Sequence, residues 1–287
     1  MVYLLAIGGN AVSNDKMPEE LGRQIVKLHK KGVGLVITHG NGPQVGELSG
    51  KFHDKSLAML TAETEAALGM VIEGGIHEAA KRMRIKSPKT ALLLTRVVVD
   101  RRSGEFRNPT KPIGAFMNAK EAMALRRKGL VVKKLINGYR RLVPSPAPER
   151  IVDIDVIRRF LGMGYIVIAG GGGGIAVDKH LRYVDAVIDK DRTSAMIAEQ
   201  IGAKRLYMLT NVDGVYINFR KKNQTLIGRT TGMGIRKYMK AFEKGSMRPK
   251  VESAIRFAGE KNRVAVIGNL SKIGSVISLK GCTVIRG

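Results

Sequence analysis

Short apolar runs alternate with amphipathic stretches along most of the chain. The apolar run 2–7 is followed by residues 18–31, in which apolar positions return at helical spacing, and then by a second apolar run, residues 33–37. Apolar runs of this length are typical of strands that are buried on both faces of a sheet. The alternation therefore predicts an α/β fold in which helices cover a mainly parallel sheet.

The same pattern continues to the last residues. It predicts helices over residues 57–84 and 153–161 and a helix that ends near residue 201. The further predicted strands are 90–99, 165–169, 205–209, 264–267 and 283–285. The composition changes in residues 100–148, because five of the nine prolines lie between 109 and 148. Central strands exclude proline, so this region is predicted to be an inserted lobe or lid.

Composition narrows the class of protein. The chain has 287 residues, 44% of them hydrophobic, which is typical of a globular protein with a sizeable core. A single cysteine, Cys282, excludes a disulfide scaffold and a cysteine-built metal cluster. No apolar run reaches the roughly 18 residues that a membrane helix needs, and the first residues do not resemble a signal peptide. We therefore expect a soluble cytoplasmic protein with no membrane contact.

The net charge is strongly positive, because 50 lysines and arginines outnumber 24 acidic residues and give +26. Such a surface attracts anions and favours nonspecific contact with nucleic acid. The charge is nevertheless spread along the chain, and only 5% of residues are aromatic, with no tryptophan to stack on bases. We interpret the charge as a solvated surface that suits anionic ligands, and nucleic-acid binding as the less favoured alternative.

Three predicted strands end in glycine-rich turns, at residues 8–9, 40–42 and 170–174. Ligands of parallel sheets bind at the carboxyl ends of the strands, where glycine lets backbone N–H groups approach a phosphate. One such turn can serve the conformation of the chain alone, but three favour an anion-binding site. The sequence contains neither a G-x-x-x-x-G-K-[ST] loop nor a G-x-G-x-x-G fingerprint, which argues against a P-loop kinase and a dinucleotide dehydrogenase.

Lysines also stand near two predicted helix starts. Lys190 lies between two aspartates in residues 187–191, and Lys250 ends the segment 244–250. Taken alone, each segment is typical of a solvated helix start, where the helix dipole favours acidic residues.

Together these segments resemble the carbamate kinases of the amino-acid kinase superfamily. The matching segments, in chain order, are 8–11, 38–46, 108–114, 143–146, 170–174, 187–191, 209–215 and 245–250. Asn-Pro-Thr-Lys-Pro at 108–112 and Gly-Asn-Gly-Pro-Gln at 40–44 are specific to carbamate kinases rather than to the whole superfamily. The order of the segments and their spread along the chain argue against a chance match.

The resemblance implies a three-layer α/β/α sandwich with a mainly parallel central sheet and a small inserted, protruding lobe. It implies an N-terminal lobe (about 1–164) that binds the phosphoryl acceptor and carries the lid (about 100–148). The C-terminal lobe (about 165–287) would bind the nucleotide. The implied reaction is reversible phosphoryl transfer between ATP and carbamate with Mg²⁺, and the implied partners are carbamate or carbamoyl phosphate and a second copy in a homodimer.

The resemblance also assigns roles to single residues. Because the acceptor is already an anion, catalysis needs no general base and consists of positioning and charge neutralisation. Lys190 and Lys250 would flank the phosphoryl group, Lys111 would reach it from the inserted lobe, and Asp191 would orient the lysines and help to hold the metal. The implied substrate and phosphate ligands are Gly8, Gly9, Asn10, Gly40, Asn41, Gly171 and Gly172. The residues implied around the nucleotide are Asn211, Asp213, Val215, Tyr216 and Met247.

The chain departs from the family pattern at three places. Ala176 stands where proline is expected after the glycine run, the lid continues as Gly-Ala-Phe-Met at 114–117, and residues 64–70 lack the glutamines and the Gly-Tyr pair of the family. These changes bear on lid contacts, on the dimer and on the choice of substrate. They leave open a kinase of the same superfamily that acts on another small carboxylate or phosphate, whereas the intact charged set argues against an inactive nucleotide sensor.

Overall fold

A computed structural model describes residues 1–9, 12, 17–52, 54–242 and 247–287. The strands in this part of the chain are β1 Val2–Ile7, β2 Gly34–His39, β3 Thr90–Leu92, β4 Arg96–Val99, β5 Lys111–Met117, β6 Val132–Leu135, β7 Gly138–Val143, β8 Pro148–Ile151, β9 Ile166–Ile168, β10 Ile175–Val177, β11 Arg205–Thr210, β12 Val215–Ile217, β13 Thr225–Ile227, β14 Arg229–Thr231, β15 Val264–Asn269 and β16 Thr283–Arg286. The α-helices are α1 Glu19–Lys30, α2 Gly42–Lys51, α3 Leu57–Arg82, α4 Ala119–Arg127, α5 Ile154–Gly162, α6 Lys190–Gln200, α7 Gly232–Arg236, α8 Met247–Ala258 and α9 Ile273–Ile277.

The central sheet has the strand order β14-β16-β15-β11-β1-β2-β9-β3. Every pair from β15 across to β3 is parallel, and the antiparallel pairing of β15 with β16 is the reversal near one edge. The predicted mainly parallel sheet is therefore confirmed. Among the described residues, no helix combines the length and the apolar character needed to cross a bilayer.

Helices cover both faces of this sheet, as the side chains of β1 show. Leu4 and Ala6 pack into one apolar cluster with residues of α5, α6 and α8. Tyr3, Leu5 and Ile7 point the other way and pack with residues of α1, α3 and α9. Because successive side chains of a strand alternate between the faces, a strand that is apolar at every position needs a helical layer on each side. The three-layer α/β/α sandwich is thus confirmed.

The prediction of one strand over residues 90–99 is wrong. The chain leaves the edge of the central sheet after β3, bends at residues 93–95, and enters a second sheet with the order β10-β4-β8. Thr95 fixes the bend, because its carbonyl accepts the N–H of Ile175 at 2.7 Å and its hydroxyl accepts the N–H of Gly170 at 2.7 Å. The bend contains neither glycine nor proline, so the apolar pattern runs through it without interruption.

The inserted region forms a separate antiparallel sheet with the order β5-β7-β6, to which α4 is attached. Strand β5 packs on helix α2 at a glycine–glycine contact, because a side chain on Gly46 would collide with the backbone of Gly114. Gly114 has a φ of +75°, a conformation that glycine adopts without strain. The contact brings the first residue of β5, Lys111, to the carboxyl edge of the central sheet. The boundaries of the two larger lobes stay a prediction.

We expect Gly46→Ala to lower the free energy of unfolding by about 1–3 kcal/mol, because the added methyl group must push β5 away from α2. Gly50→Ala is the matched control on the same helix. Nothing lies within 4 Å of a side chain there, and alanine favours helix by about 0.5–1 kcal/mol over glycine. Urea unfolding of both variants checks this, and equal stabilities would contradict the close packing.

Candidate active site

Four neighbouring strands of the central sheet end at the same edge. Ile7 of β1 lies beside Leu209 of β11 and His39 of β2, and Ile37 lies beside Ile168 of β9. The turns that follow these strands therefore meet at one place. They line an open cleft of about 550 Å³, together with the start of α6 and the first residues of β5.

The glycine turns touch one another and a lysine. A side chain at Gly40 would lie 2.8 Å from the nitrogen of Gly9 and 3.2 Å from Cδ of Lys190. The N–H groups of Gly8 and Gly40 do not face a ligand, because they donate to Leu209 and Ile7 at 3.1 and 3.0 Å. These two glycines thus line the cleft and let its walls approach closely, but they hold the turns together rather than bind an anion through their N–H groups.

Other donors are available to an anion. None of the described residues accepts a hydrogen bond from the N–H of Asn41 or Gly172, and both residues line the cleft. Helix α2 begins at Gly42, and in the described part of the chain no side chain caps it. The amide of Asn41, at the capping position, donates instead to Oγ1 of Thr64 at 2.8 Å. An uncapped helix start with its positive dipole end in a cleft favours an anionic ligand.

The charged centre of the cleft is built at the starts of α6 and α8. Nζ of Lys190 lies 2.6 Å from Oδ1 of Asp191, and Nζ of Lys250 lies 2.9 and 2.8 Å from the two oxygens of the same carboxylate. All three side chains are largely buried. Asp191 therefore holds two ammonium groups in one place, and its role in orienting them for a reaction stays a prediction.

The pKa values of this trio reflect burial and mutual attraction. Burial favours a neutral Asp191, but the charges of Lys190 and Lys250 outweigh it and hold the pKa of that carboxyl far below its usual range. Burial also opposes the charge of Lys190, yet Asp191 raises the pKa of that ammonium. The pKa of Lys250 is lowered by burial and by the nearby charge of Lys190, which Asp191 offsets only in part.

A second ion pair connects the inserted lobe to the cleft. Nζ of Lys111 lies 2.6 Å from Oδ2 of Asp189, while Oδ1 of Asp189 caps α6 by accepting the N–H of Asp191 at 3.0 Å. Despite its burial, the charge of Lys111 lowers the pKa of Asp189. The roles predicted from the sequence omitted Asp189, although an aspartate directly before a predicted helix is a recognisable cap.

These charged side chains leave the cleft with an excess of positive charge. Among the described residues, three lysines and two aspartates line it, and they give a net charge of +1 before the helix dipoles are counted. Within the described ranges, no group of three histidine, cysteine, aspartate or glutamate side chains could hold a metal ion. The arrangement can therefore bind and neutralise a small polyanion, and any divalent ion would need ligand oxygens from that anion.

The nucleotide residues predicted from the sequence are only partly brought together. Asn211 lines the cleft, and Asp213 lies behind it, where it accepts from Nδ2 of Asn269 at 3.0 Å and from Nζ of Lys272 at 2.9 Å. Asn269, Leu270 and Ser271 also line the cleft and were missed. Their signal is their position at the end of β15 and directly after it, at the same edge as the glycine turns.

The remaining predicted residues lie away from the cleft lining or outside the description. The N–H of Val215 donates to Thr283 at 2.8 Å in the core, and Tyr216 packs against Phe219 with ring centroids 5.9 Å apart. Met247 is the first residue of α8. Asn10 lies outside the described residues.

Gly171 faces away from the cleft and contacts a buried acid. Its N–H donates to Oε1 of Glu65 at 2.9 Å, and the N–H of Thr95 donates to Oε2 at 3.3 Å. Glu65 lies in α3 and is fully buried, and burial raises its pKa from 4.5 to about 8 against the effect of these donors. His39 is buried nearby, and burial lowers the pKa of its imidazole to about 4.

Three comparisons with known proteins agree with one another. Residues 1–269 match the model of the amino acid kinase family. The chain is 38% identical to the carbamate kinase-like protein YqeA of Escherichia coli and 36% identical to a carbamate kinase of Thermoplasma volcanium, with 98% of both partners covered in each alignment. A structure of carbamate kinase from Giardia lamblia bound to AMP-PNP matches with a TM-score of 0.86 and 30% identity, over 99% of this chain and 98% of that one.

Glu65 should make stability depend on pH. An acid whose pKa is raised by folding is protonated more in the folded chain, so the wild type loses stability as the pH rises from about 4.5 to about 8. Glu65→Gln removes this loss. We expect the stability of the variant relative to the wild type to rise by up to about 1.4 kcal/mol per pH unit in that window and to level off above it.

Urea unfolding at a series of pH values measures the effect. Glu63→Gln, at a partly exposed position of the same helix, is the control; it loses a solvent-screened ion pair with Lys55 and should lower stability by less than about 1 kcal/mol, with no pH dependence between about pH 6 and pH 8. A stability difference between Glu65→Gln and wild type that does not vary with pH would show that Glu65 is ionised in the folded protein.

Proposed function

Because the chain belongs to the amino acid kinase family, we propose that it is a carbamate kinase, which transfers a phosphoryl group reversibly between ATP and carbamate. The observation that carries the proposal is the cluster of Lys190, Asp191 and Lys250 beside open N–H donors, a cleft suited to a small phosphorylated anion. The resemblance seen in the sequence is confirmed at the level of the family. Relatives named carbamate kinase, such as that of Thermoplasma volcanium, align over nearly the whole chain.

The acceptor and the transferred phosphate would lie between the glycine turns. The N–H groups of Asn41 and Gly172 and the open start of α2 would donate to anionic oxygens. In the forward direction a carbamate oxygen attacks the terminal phosphorus of ATP and ADP leaves. In the reverse direction an oxygen of ADP attacks the phosphorus of carbamoyl phosphate and carbamate leaves. Both nucleophiles are already anions, so no side chain has to remove a proton.

The lysines would supply the charge that this transfer needs. Lys190 and Lys250 would stand beside the phosphoryl group, held in place by Asp191, so that they lose little freedom when the reaction occurs. Lys111 would add a third charge from the inserted lobe. Its present partner, Asp189, is hydrogen-bonded to the start of α6 and stays in place if Lys111 turns toward a phosphate.

The nucleotide would enter along the ends of β11 and β15. Asn211 and residues 269–271 line that side of the cleft, and Asp213 fixes Asn269 and Lys272 relative to each other. Val215, Tyr216 and Met247 would act from behind this surface or from its rim.

Magnesium fits this cleft as a companion of the nucleotide. Mg²⁺ in phosphoryl-transfer sites is held by one or two carboxylates and by phosphate oxygens, and among the described residues Asp189 and Asp191 are the carboxylates that line the cleft. When bound, the ion would neutralise charge on the phosphates. Both carboxylates are engaged by lysines, so the residues support a metal that arrives with ATP rather than a resident one.

The departures from the family pattern lie outside the described lining of the cleft. Ala176 is buried in β10, and neither it nor residues 64–70 and 115–117 are among the described residues that line the cleft. They therefore remove none of the described contacts to the ligand space, although Thr64 and Glu65 support its turns from behind. The homodimer and the cytoplasmic location stay predictions, which sedimentation and fractionation can check.

We expect Lys190→Ala to lower the rate of ATP formation from ADP, Mg²⁺ and carbamoyl phosphate by at least about 10²- to 10³-fold, because a buried charge beside the transferring group is lost. The control is Arg192→Ala in the same helix, whose side chain is not part of the described cleft lining and whose loss should cost less than about fivefold.

The two possible failures have different meanings. Near-normal turnover in Lys190→Ala would contradict the role of the lysine. A folded wild type that binds ATP but forms none from carbamoyl phosphate would reject carbamate as the acceptor, and other small carboxylates and phosphates would then be screened.

A further inference from the structure

Helix α3 contacts both anion-binding turns from behind. Oγ1 of Thr64 accepts a hydrogen bond from the amide of Asn41 at 2.8 Å and donates to the carbonyl of Leu60 at 2.8 Å. The next residue, Glu65, accepts the N–H of Gly171 at 2.9 Å. Two successive buried residues of one helix thus hold one turn each, and both turns offer N–H groups to the cleft.

The contacts leave no free space between the turns and the helix. A side chain on Gly172 would collide with the amide of Asn41, and a side chain on Gly171 would collide with His39 and Glu65. Asn41, the glycine run and α3 therefore interlock. A shift of α3, or the loss of one of its two polar contacts, would move an anion-binding N–H group.

We propose that Thr64 and Glu65 are positioning residues of the cleft, and that Glu65 acts as a neutral acid whose ionisation in alkaline solution weakens the binding of the anionic substrate. This inference rests on the proposed function and adds to it two residues that touch neither substrate. Oε1 accepts the N–H of Gly171 whether or not the acid is protonated, so the neutral form can hold the glycine run.

The surroundings of Glu65 favour its neutral form. The backbone N–H donors of Gly171 and Thr95 favour the carboxylate, but burial outweighs them, and no lysine or arginine in the described part of the chain forms an ion pair with Glu65. Burial raises its pKa to about 8, so that it changes from the neutral to the charged form between neutral and mildly alkaline solution.

None of the neighbouring ionisable groups in the described part of the chain supplies a positive charge that pairs with Glu65. His39 of β2 is neutral above about pH 4 because it is buried. Asp153, before α5, raises the pKa of Glu65 through its negative charge, and Arg96 of β4 is paired with that aspartate at 2.6 Å. Lys190 is engaged by Asp191, and the ionisable residues of α2, Glu47 and Lys51, pair with each other in solvent. The glycine run and β10 contain no ionisable side chain.

Ionisation places a negative charge directly behind Gly171 and Gly172. The described side chains that line the cleft give it a net charge of +1, so one buried negative charge behind it opposes the binding of carbamoyl phosphate. We expect the KM of the wild type for carbamoyl phosphate to rise about fivefold between roughly pH 7 and pH 9, with a midpoint near the ionisation of Glu65.

The experiment measures kcat and KM for carbamoyl phosphate over this range in the wild type, Glu65→Gln and Glu65→Leu. Glutamine keeps the acceptor for Gly171 and cannot ionise, so its KM should stay level as the pH rises. Leucine loses the acceptor, so its KM should be raised about tenfold at every pH. Glu63→Gln, the matched control on α3, should follow the wild-type profile.

Thr64 provides an independent test. Thr64→Val removes the acceptor for Asn41 without changing the size of the side chain, and its KM should rise about tenfold at all pH values. Thr64→Ser keeps the hydroxyl, so its KM should equal that of the wild type. A wild type that forms no ATP overturns the proposed function and this inference with it. An active wild type whose pH dependence of KM persists in Glu65→Gln overturns this inference alone.

Discussion

The cleft depends on a single buried carboxylate that neutralises two lysines. Bringing the ammonium groups of Lys190 and Lys250 together in a buried place costs desolvation energy and mutual repulsion, and either alone favours a neutral amine. Asp191 contacts both nitrogens within 3 Å and makes the arrangement stable. It cannot neutralise both, so positive charge is left over for a phosphate. The glycine turns then need only bring their N–H groups to the same point.

Features that the sequence could predict are those encoded over a few adjacent residues. Uninterrupted apolar runs indicated strands buried on both faces, and glycines directly after them indicated turns at one edge, because strand and turn are contiguous in the chain. The bend at Thr95 escaped prediction because its cause is distant: the N–H groups of Gly170 and Ile175 donate the hydrogen bonds that fix it. Likewise, N–H groups that the sequence offered to a ligand, at Gly8 and Gly40, are already used by neighbouring strands.

Residues that act through others were the hardest to find from the sequence. Nothing in the local sequence distinguishes Glu65 from the other glutamates of its predicted helix. The packed structure shows that it is fully buried against the glycine run. Asp189 was visible as a helix cap, but its ion pair with Lys111 joins residues 78 positions apart. Residues 269–271 reach the cleft because β15 neighbours β11. The order of strands in a sheet cannot be inferred from the local hydrophobic periodicity of the sequence.

The lysine that the inserted lobe contributes is more exposed than the other two lysines of the site and is held in place differently. Lys190 and Lys250 are buried and held by Asp191, whereas 32% of the side chain of Lys111 is exposed, so solvent partly screens its pair with Asp189. A screened ion pair holds a lobe weakly. Two contacts that ionic strength does not weaken hold the lobe: the close approach of Gly46 to Gly114, and the packing of Ile113 and Val143 with Leu57 and Val187. The position of the third lysine of the cleft therefore depends on packing rather than on charge.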